Sequence, residues 1–218
     1  DRLPEDPHLV QFDEAAYPGR LRDLAEPPEF LYVRGNLETL DAPATLAVVG
    51  SRDVTVKQAR RAHDIVGHLA RSGVEIVSGG AFGVDRVSHE AAIEEGRATV
   101  VVLPGGLDRP APSSNRKVFE EALCDGAWVT EYALGTEVRP YHFPRRNRLI
   151  AALGDATFVV RAGENSGTML TAEAAGRLGR PICTLPGGLD DPLAEGCNAL
   201  LVEGAQAVRH GGDVLDIY

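Results

Sequence analysis

Residues 45–83 read TLAVVGSRDVTVKQARRAHDIVGHLARSGVEIVSGGAFG. Thr45–Gly50 is a short apolar run closed by glycine, the pattern of a parallel strand buried on both faces. From Val56 to Arg71 the residues Ala59, Ala62, Ile65, Val66, Leu69 and Ala70 recur at helical spacing, and Ser72-Gly73 ends that helix. Val74–Val77 reads as a strand again, followed by a glycine loop at Ser78–Gly83. Strand, helix and strand in this order make a βαβ unit, whose two strands lie parallel.

The same alternation continues outward. A helix runs to Gly96, then come a strand at Ala98–Leu103, a Pro104-Gly105-Gly106 turn and a helix at Ser114–Leu123. A short strand near Trp128 and a long loop, Glu131–Phe143, precede a helix at Arg145–Leu153. Strand Ala156–Val160, helix Thr168–Leu178 and strand Pro181–Leu185 complete the series. The expected fold class is α/β: a mostly parallel, doubly wound, Rossmann-like sheet with helices on both faces, over residues 41–218. Residues 1–40, punctuated by Pro18, Pro27 and Pro28, are expected to form a small helical or irregular N-terminal appendage. The segments 99–110 and 181–192 share LPGGLD, either because two strands end in the same turn or through duplication.

Composition narrows the function. With 218 residues, 44% apolar and 25% charged, the chain has an ordinary globular profile. No apolar run approaches the roughly 18 residues of a membrane helix, and the acidic Asp1–Pro7 is unlike a signal peptide. The sequence does not begin with Met, which fits a piece of a longer parent. Cys124, Cys183 and Cys197 have no CxxC spacing, which argues against a disulfide framework or structural zinc and for a reducing, cytoplasmic compartment. A net charge of −10 excludes a surface coated in basic residues. The acids concentrate early: residues 1–41 hold 10 acids against 4 bases, and residues 42–218 hold 22 against 18. Of the 22 cations 20 are arginines, so an anion site here is local and built for bidentate contacts.

In such a sheet ligands sit beyond the carboxyl ends of the strands, where helix N-termini present free N–H groups. Gly50-Ser51-Arg52, Ser78–Gly83, Pro104–Asn115 and Gly163–Thr168 fall on that edge. Each can be a plain strand-to-helix turn with Ser or Thr as N-cap; four together favour a phosphate site. The P-loop motif is missing, SGGAFG is not GxGxxG, and no GxSxG, HExxH or Cys–His signature occurs. Asp85 and His89 stand four apart on one helix without a convincing third metal ligand. Glu131 and Glu173 can be read as catalytic carboxylates, but exposed or cap-supporting glutamates are commoner. No metal, cofactor or catalytic residue is expected.

The densest chemical signal is RPYHFPRRNR at 139–148, with four arginines, a histidine, two aromatics and no acid. Arginines neutralise phosphates, and Tyr141 and Phe143 offer faces for unpaired bases. Arg145, Arg146 and Arg148 open a helix at its positive end, a cost to the helix that a bound anion would offset. The other reading makes Phe143 core and pairs the arginines with acids.

Taken with SGGAFGVDRVSHEAAIEEG, FPRRNRLIAAL, SGTMLTAEAAGRLGRPICTLPGG and EGCNALLVEGA, in this order, the chain resembles the DprA/Smf family from about residue 17 to 208. The resemblance implies an extended Rossmann-like, homodimeric, single-stranded DNA-binding protein that protects incoming DNA in natural transformation and loads RecA. No enzymatic activity goes with it. The implied DNA contacts are Ser51 and Arg52, Gly80 and Gly83, Phe143, Arg145, Arg146, Asn147 and Arg148, then Ser166, Gly167 and Thr168. Asn115 matches a loop asparagine, with Ala111 where an aromatic is usual, and the nearby Lys117 joins the set. Sterile-alpha-motif-like and winged-helix-like modules of many relatives fall outside these residues. The rival reading is a lysine-decarboxylase-like nucleoside monophosphate phosphoribohydrolase, whose PGGxGTxxE is split here between Pro104-Gly105-Gly106 and Gly167-Thr168 with Glu173.

Overall fold

A computed structural model describes residues 7–218. In chain order the elements are β1 (His8–Gln11), β2 (Phe30–Gly35), β3 (Thr45–Val49), α1 (Val56–Arg71), β4 (Glu75–Ser78) and α2 (Val84–Glu94). Next come β5 (Thr99–Val102), α3 (Arg116–Ala122), β6 (Ala127–Thr130), α4 (His142–Leu153), β7 (Ala156–Val159) and α5 (Gly167–Arg177). The chain closes with β8 (Ile182–Thr184), α6 (Glu195–Val202), β9 (Gln206–Ala207) and α7 (Gly211–Leu215). All nine strands form one sheet in the order β1-β2-β6-β5-β4-β3-β7-β8-β9. From β3 to β9 the strands are parallel, and β1 and β2 add antiparallel at one edge.

The sequence dictates the layers. Every residue of β3 is buried, and alternate side chains enter opposite cores, as a period of two requires. Leu46 and Val48 pack with Ile65, Val66 and Leu69 of α1 and with Phe158, while Ala47 and Val49 pack with Leu149, Ile150 and Leu153 of α4. Phe119 of α3 and Trp128 form a third cluster beside α2. A fully buried side chain of this size contributes about 1.5–3 kcal/mol. Helix α1 begins where its sequence marks it: Thr55 Oγ1 accepts from Gln58 N at 3.3 Å and Gln58 Oε1 accepts from Thr55 N at 2.9 Å.

The lead-in differs from expectation. The described part of residues 1–40 is no appendage: β1 and β2 extend the sheet, with Tyr32 opposite Thr130 and Val33 opposite Val129. Tyr17, Leu21, Leu31, Val33 and Leu40 join the main core. These strands show solvent to one face, so they carry none of the continuous apolar character of the central strands. Arg20 then ties the lead-in to the sheet through Asp155, with Nε–Oδ1 at 2.7 Å, and Asp155 Oδ2 accepts from Thr45 N at 2.9 Å. Burial works against the Asp155 carboxylate, yet these donors hold its pKa below the usual value.

The winding reverses between β3 and β7, where the chain goes out to β6 on one side and crosses to β8 and β9 on the other. Two neighbouring strands whose following segments diverge leave a crevice at their carboxyl ends. The site is found there.

Candidate nucleic-acid interface

A cleft of about 370 Å³ opens at that crevice. One wall is the end of β3, from Val49 to Asp53; another is the N-terminus of α5 with Ser166, Gly167 and Thr168; a third is α4 with Phe143, Arg146 and Asn147. The turn after β3 is fixed by backbone: Ser51 N donates to Arg161 O at 2.7 Å, and Ser51 Oγ accepts from Asp53 N at 3.0 Å. Arg52 then projects over Phe143, its guanidinium carbon 5.2 Å from the ring centroid. It has no carboxylate partner among the described residues. Ser166 is the N-cap of α5, yet its hydroxyl, buried at the cleft, has no partner among the described residues. Asn147 links the walls, donating from Nδ2 to Gly167 O at 3.1 Å. A cation, an aromatic face, an unused hydroxyl and the amide-bearing end of an eleven-residue helix converge on one concavity. That combination accepts a phosphate and a flat apolar group side by side.

A smaller cleft of about 110 Å³ shares Arg52 and Phe143 and is completed by Phe82, Ala111 and Pro112. Phe82 is 46% exposed, unusual for phenylalanine.

Residues 8–218 match the family model for the DNA recombination-mediator protein A. The chain belongs to that family. It is 37% identical over 199 residues to DNA processing protein DprA of Streptococcus pneumoniae, covering 91% of this chain and 70% of that one. It is 36% identical over 217 residues to a Mycobacterium tuberculosis relative, of which it spans 56%. Among solved structures, the S. pneumoniae protein superposes with a TM-score of 0.91 at 34% identity, over 97% of this chain and 74% of that one. DNA processing protein A of Helicobacter pylori, described for its single-stranded DNA binding mode, gives 0.86 at 31% identity over 95% and 94%.

Against this family background the residues singled out from sequence divide sharply. Ser51, Arg52, Phe143, Asn147, Ser166, Gly167 and Thr168 line the cleft. Arg146 lines its floor in another capacity. It is 3% exposed, and its Nη1 donates to Gly79 O at 2.6 Å and to Val102 O, joining the ends of β4 and β5. Burial pulls its pKa down to about 10, a drop that the facing Asp85 opposes, so it stays charged at neutral pH. Asp85 is buried with it, its carboxyl raised by burial and held back by Arg146. Arg146 is therefore a brace under the cleft rather than an exposed phosphate contact.

The rest of the arginine segment is neutralised. Glu131 Oε2 lies 3.2 Å from Arg145 Nε and 2.6 Å from Arg148 Nη2, and Arg148 also donates to Glu26 O at 2.8 Å. The reading of Glu131 as an ordinary glutamate gives way to that of a clamp. Helix α4 starts at His142, three residues before the expected start. Lys117 on α3 is exposed beside Glu121 at 3.6 Å and does not line the cleft. Asn115 is buried, donating to Gly80 O at 2.9 Å and Ala81 O at 3.2 Å, so it ties the glycine loop.

Gly80 and Gly83 shape that loop. Their φ values are +68° and +73°, and a Cβ would stand 2.4 Å from the Phe119 ring and 2.3 Å from Ser51 O respectively. His89 donates from Nδ1 to Thr99 Oγ1 at 2.8 Å, because the Thr99 hydroxyl itself donates to Ile76 O. Burial, aided by Arg146, lowers its pKa to about 3, so it is neutral in the fold. Sequence reasoning passed over Phe82; its signal was a bulky aromatic between the glycines of SGGAFG, where a solvent-facing loop has no need of one.

Proposed function

We propose that the cleft at the β3–β7 crevice binds single-stranded DNA with little sequence preference. The observation that carries this reading is the unpaired Arg52 guanidinium held over the Phe143 ring at the mouth of a cleft walled by a helix N-terminus. A phosphate meets Arg52 and the amides of α5, and the attached base lies against Phe143 or Phe82. Stacking faces are hidden in a duplex, which selects for single strands. Membership of a recombination-mediator family and the single-stranded DNA binding mode of the H. pylori relative support this reading. The proposal extends to a homodimer, in which two clefts raise avidity through effective concentration, and to delivery of the bound strand to the RecA recombinase. The protein acts by binding, with no chemical step.

A gel shift across a salt series, with single- and double-stranded oligonucleotides of one sequence, tests the core of this. Single strands are expected to bind at least tenfold tighter. Equal retention of both, or loss of neither affinity in Arg52→Ala, overturns it.

A further inference from the structure

The unpaired cations of this chain do not stop at Arg52. Immediately downstream, Lys57, Arg60 and Arg61 lie exposed in the first six residues of α1, and none has a carboxylate partner among the described residues. The first turn of α1 contains no acid. Cations at a helix N-terminus oppose the helix dipole, and no carboxylate among the described residues forms a salt bridge with them. Arg61 Nη2 only reaches Arg209 O, at 3.4 Å.

Two grooves flank this helix face. One, of about 360 Å³, lies beyond the ends of β7 and β8 and is bounded by Lys57, Arg61, Arg161 and Gly187. The other, of about 650 Å³, runs between α1 and the loop before α7, past Lys57, Arg60, Arg61, His68 and His210. Lys57, Arg61 and Arg209 border both, so the grooves adjoin. The first also adjoins the cleft, because Ser51 N donates to the carbonyl of Arg161. The acids along the way are mostly engaged: Asp191 pairs with Arg161 through Nη2–Oδ1 at 2.9 Å, and Asp213 with Arg209 at 2.7 Å. Asp64 is the one carboxylate on the outer groove wall without such a partner among the described residues. Counted from the cleft, Arg52, Lys57, Arg60 and Arg61 face two carboxylates without a salt-bridge partner among the described residues, Asp53 and Asp64, which leaves the path positive on a molecule of net charge −10.

We infer that the strand leaving the cleft continues along α1, its phosphates passing Lys57, Arg60 and Arg61 toward the loop at Arg209. Lys57 and Arg61 stand about one helical turn apart, about 6 Å along the axis, and Arg60 flanks them. Among the described residues no Phe, Tyr or Trp lines either groove, so this stretch holds mainly backbone rather than bases and is indifferent to sequence. The inference rests on the cleft reading, since the path begins there.

The test compares Lys57→Ala/Arg60→Ala/Arg61→Ala with wild type on strands of about 5 and about 20 nucleotides, near the short end of and beyond the roughly 4–16 nucleotides one such site spans. The short strand, which fills only the cleft, is expected to bind the triple variant as it binds wild type, and this also reports an intact fold. The long strand is expected to bind about tenfold more weakly. Its salt slope should fall by about 2, at about 0.7 for each phosphate contact removed. Arg86→Ala/Arg97→Ala/Arg177→Ala, which removes three exposed cations elsewhere, is expected to leave both strands unaffected. An equal loss in that control, or equal losses on short and long strands, overturns the inference. If short strands do not bind wild type at all, the cleft reading itself falls. If they do, and the triple variant holds the long strand like wild type, only the path along α1 falls.

Discussion

Two stretches of chain meet at the carboxyl ends of the strands and use their cations in opposite ways. Residues 139–148 hold four arginines in ten positions, yet Arg145 and Arg148 share Glu131 and Arg146 is sealed beneath the cleft. Residues 50–61 are less conspicuous, yet Arg52, Lys57, Arg60 and Arg61 all reach solvent without a carboxylate partner among the described residues. Density of charge along a sequence is thus a poor guide to charge available for a ligand. What decides is whether the fold brings an acid or a carbonyl to the same place.

The strongest way to break the comparison is to swap expectations between Arg146 and Arg52. Arg146→Ala leaves the Gly79 and Val102 carbonyls and the Asp85 carboxyl without their partner, and should cost about 3–5 kcal/mol of stability in urea unfolding. A variant that unfolds like wild type would show that the buried arginine is no brace. The next effect sharpens the same buried cluster. Neutral His89 has a folded pKa of about 3 against an ordinary value near 6.5, so the unfolded chain binds the extra proton between these limits. Stability is complete above pH about 6.5 and is lost on acidification toward 3, by up to about 1.4 kcal/mol per pH unit. In His89→Asn, which keeps a donor toward Thr99, the melting temperature should fall less steeply between pH 7 and pH 4. Parallel profiles would remove His89 from the account.

Arg52→Ala should leave unfolding within about 0.5 kcal/mol of wild type while weakening single-strand binding about tenfold. Phe143→Ala should cost binding about 1–3 kcal/mol if a base stacks there. Unchanged binding in both would leave the cleft without a ligand. The smallest effect tests the neutralised stretch directly. Glu131→Gln releases Arg145 and Arg148, and the salt slope of binding should steepen by about 0.7 for each arginine that then meets a phosphate. A slope that does not change would place the strand's path away from Arg145 and Arg148.

The central strands were legible because burial on both faces leaves an unbroken apolar signature, as in TLAVV and TVVV. The edge strands were not: HLVQ buries one residue of four, and its partner β2 alternates. Ser51, Arg52 and Ser166 to Thr168 could be found because a strand end followed by a helix start is a local pattern. The fate of Arg146 could not, because its carbonyl partners lie 67 and 44 positions away. No window on residues 139–148 contains Glu131 or Asp85, and they determine which of its arginines remain available.

The sealed position of Arg146 separates two responses to ionic strength. Mobile ions screen charges that face water and barely reach a pair enclosed in the interior. Raising salt should therefore empty the receptor long before it loosens its lip. If the cleft holds a strand as proposed, a salt wash should release it and leave the same mouth open for another.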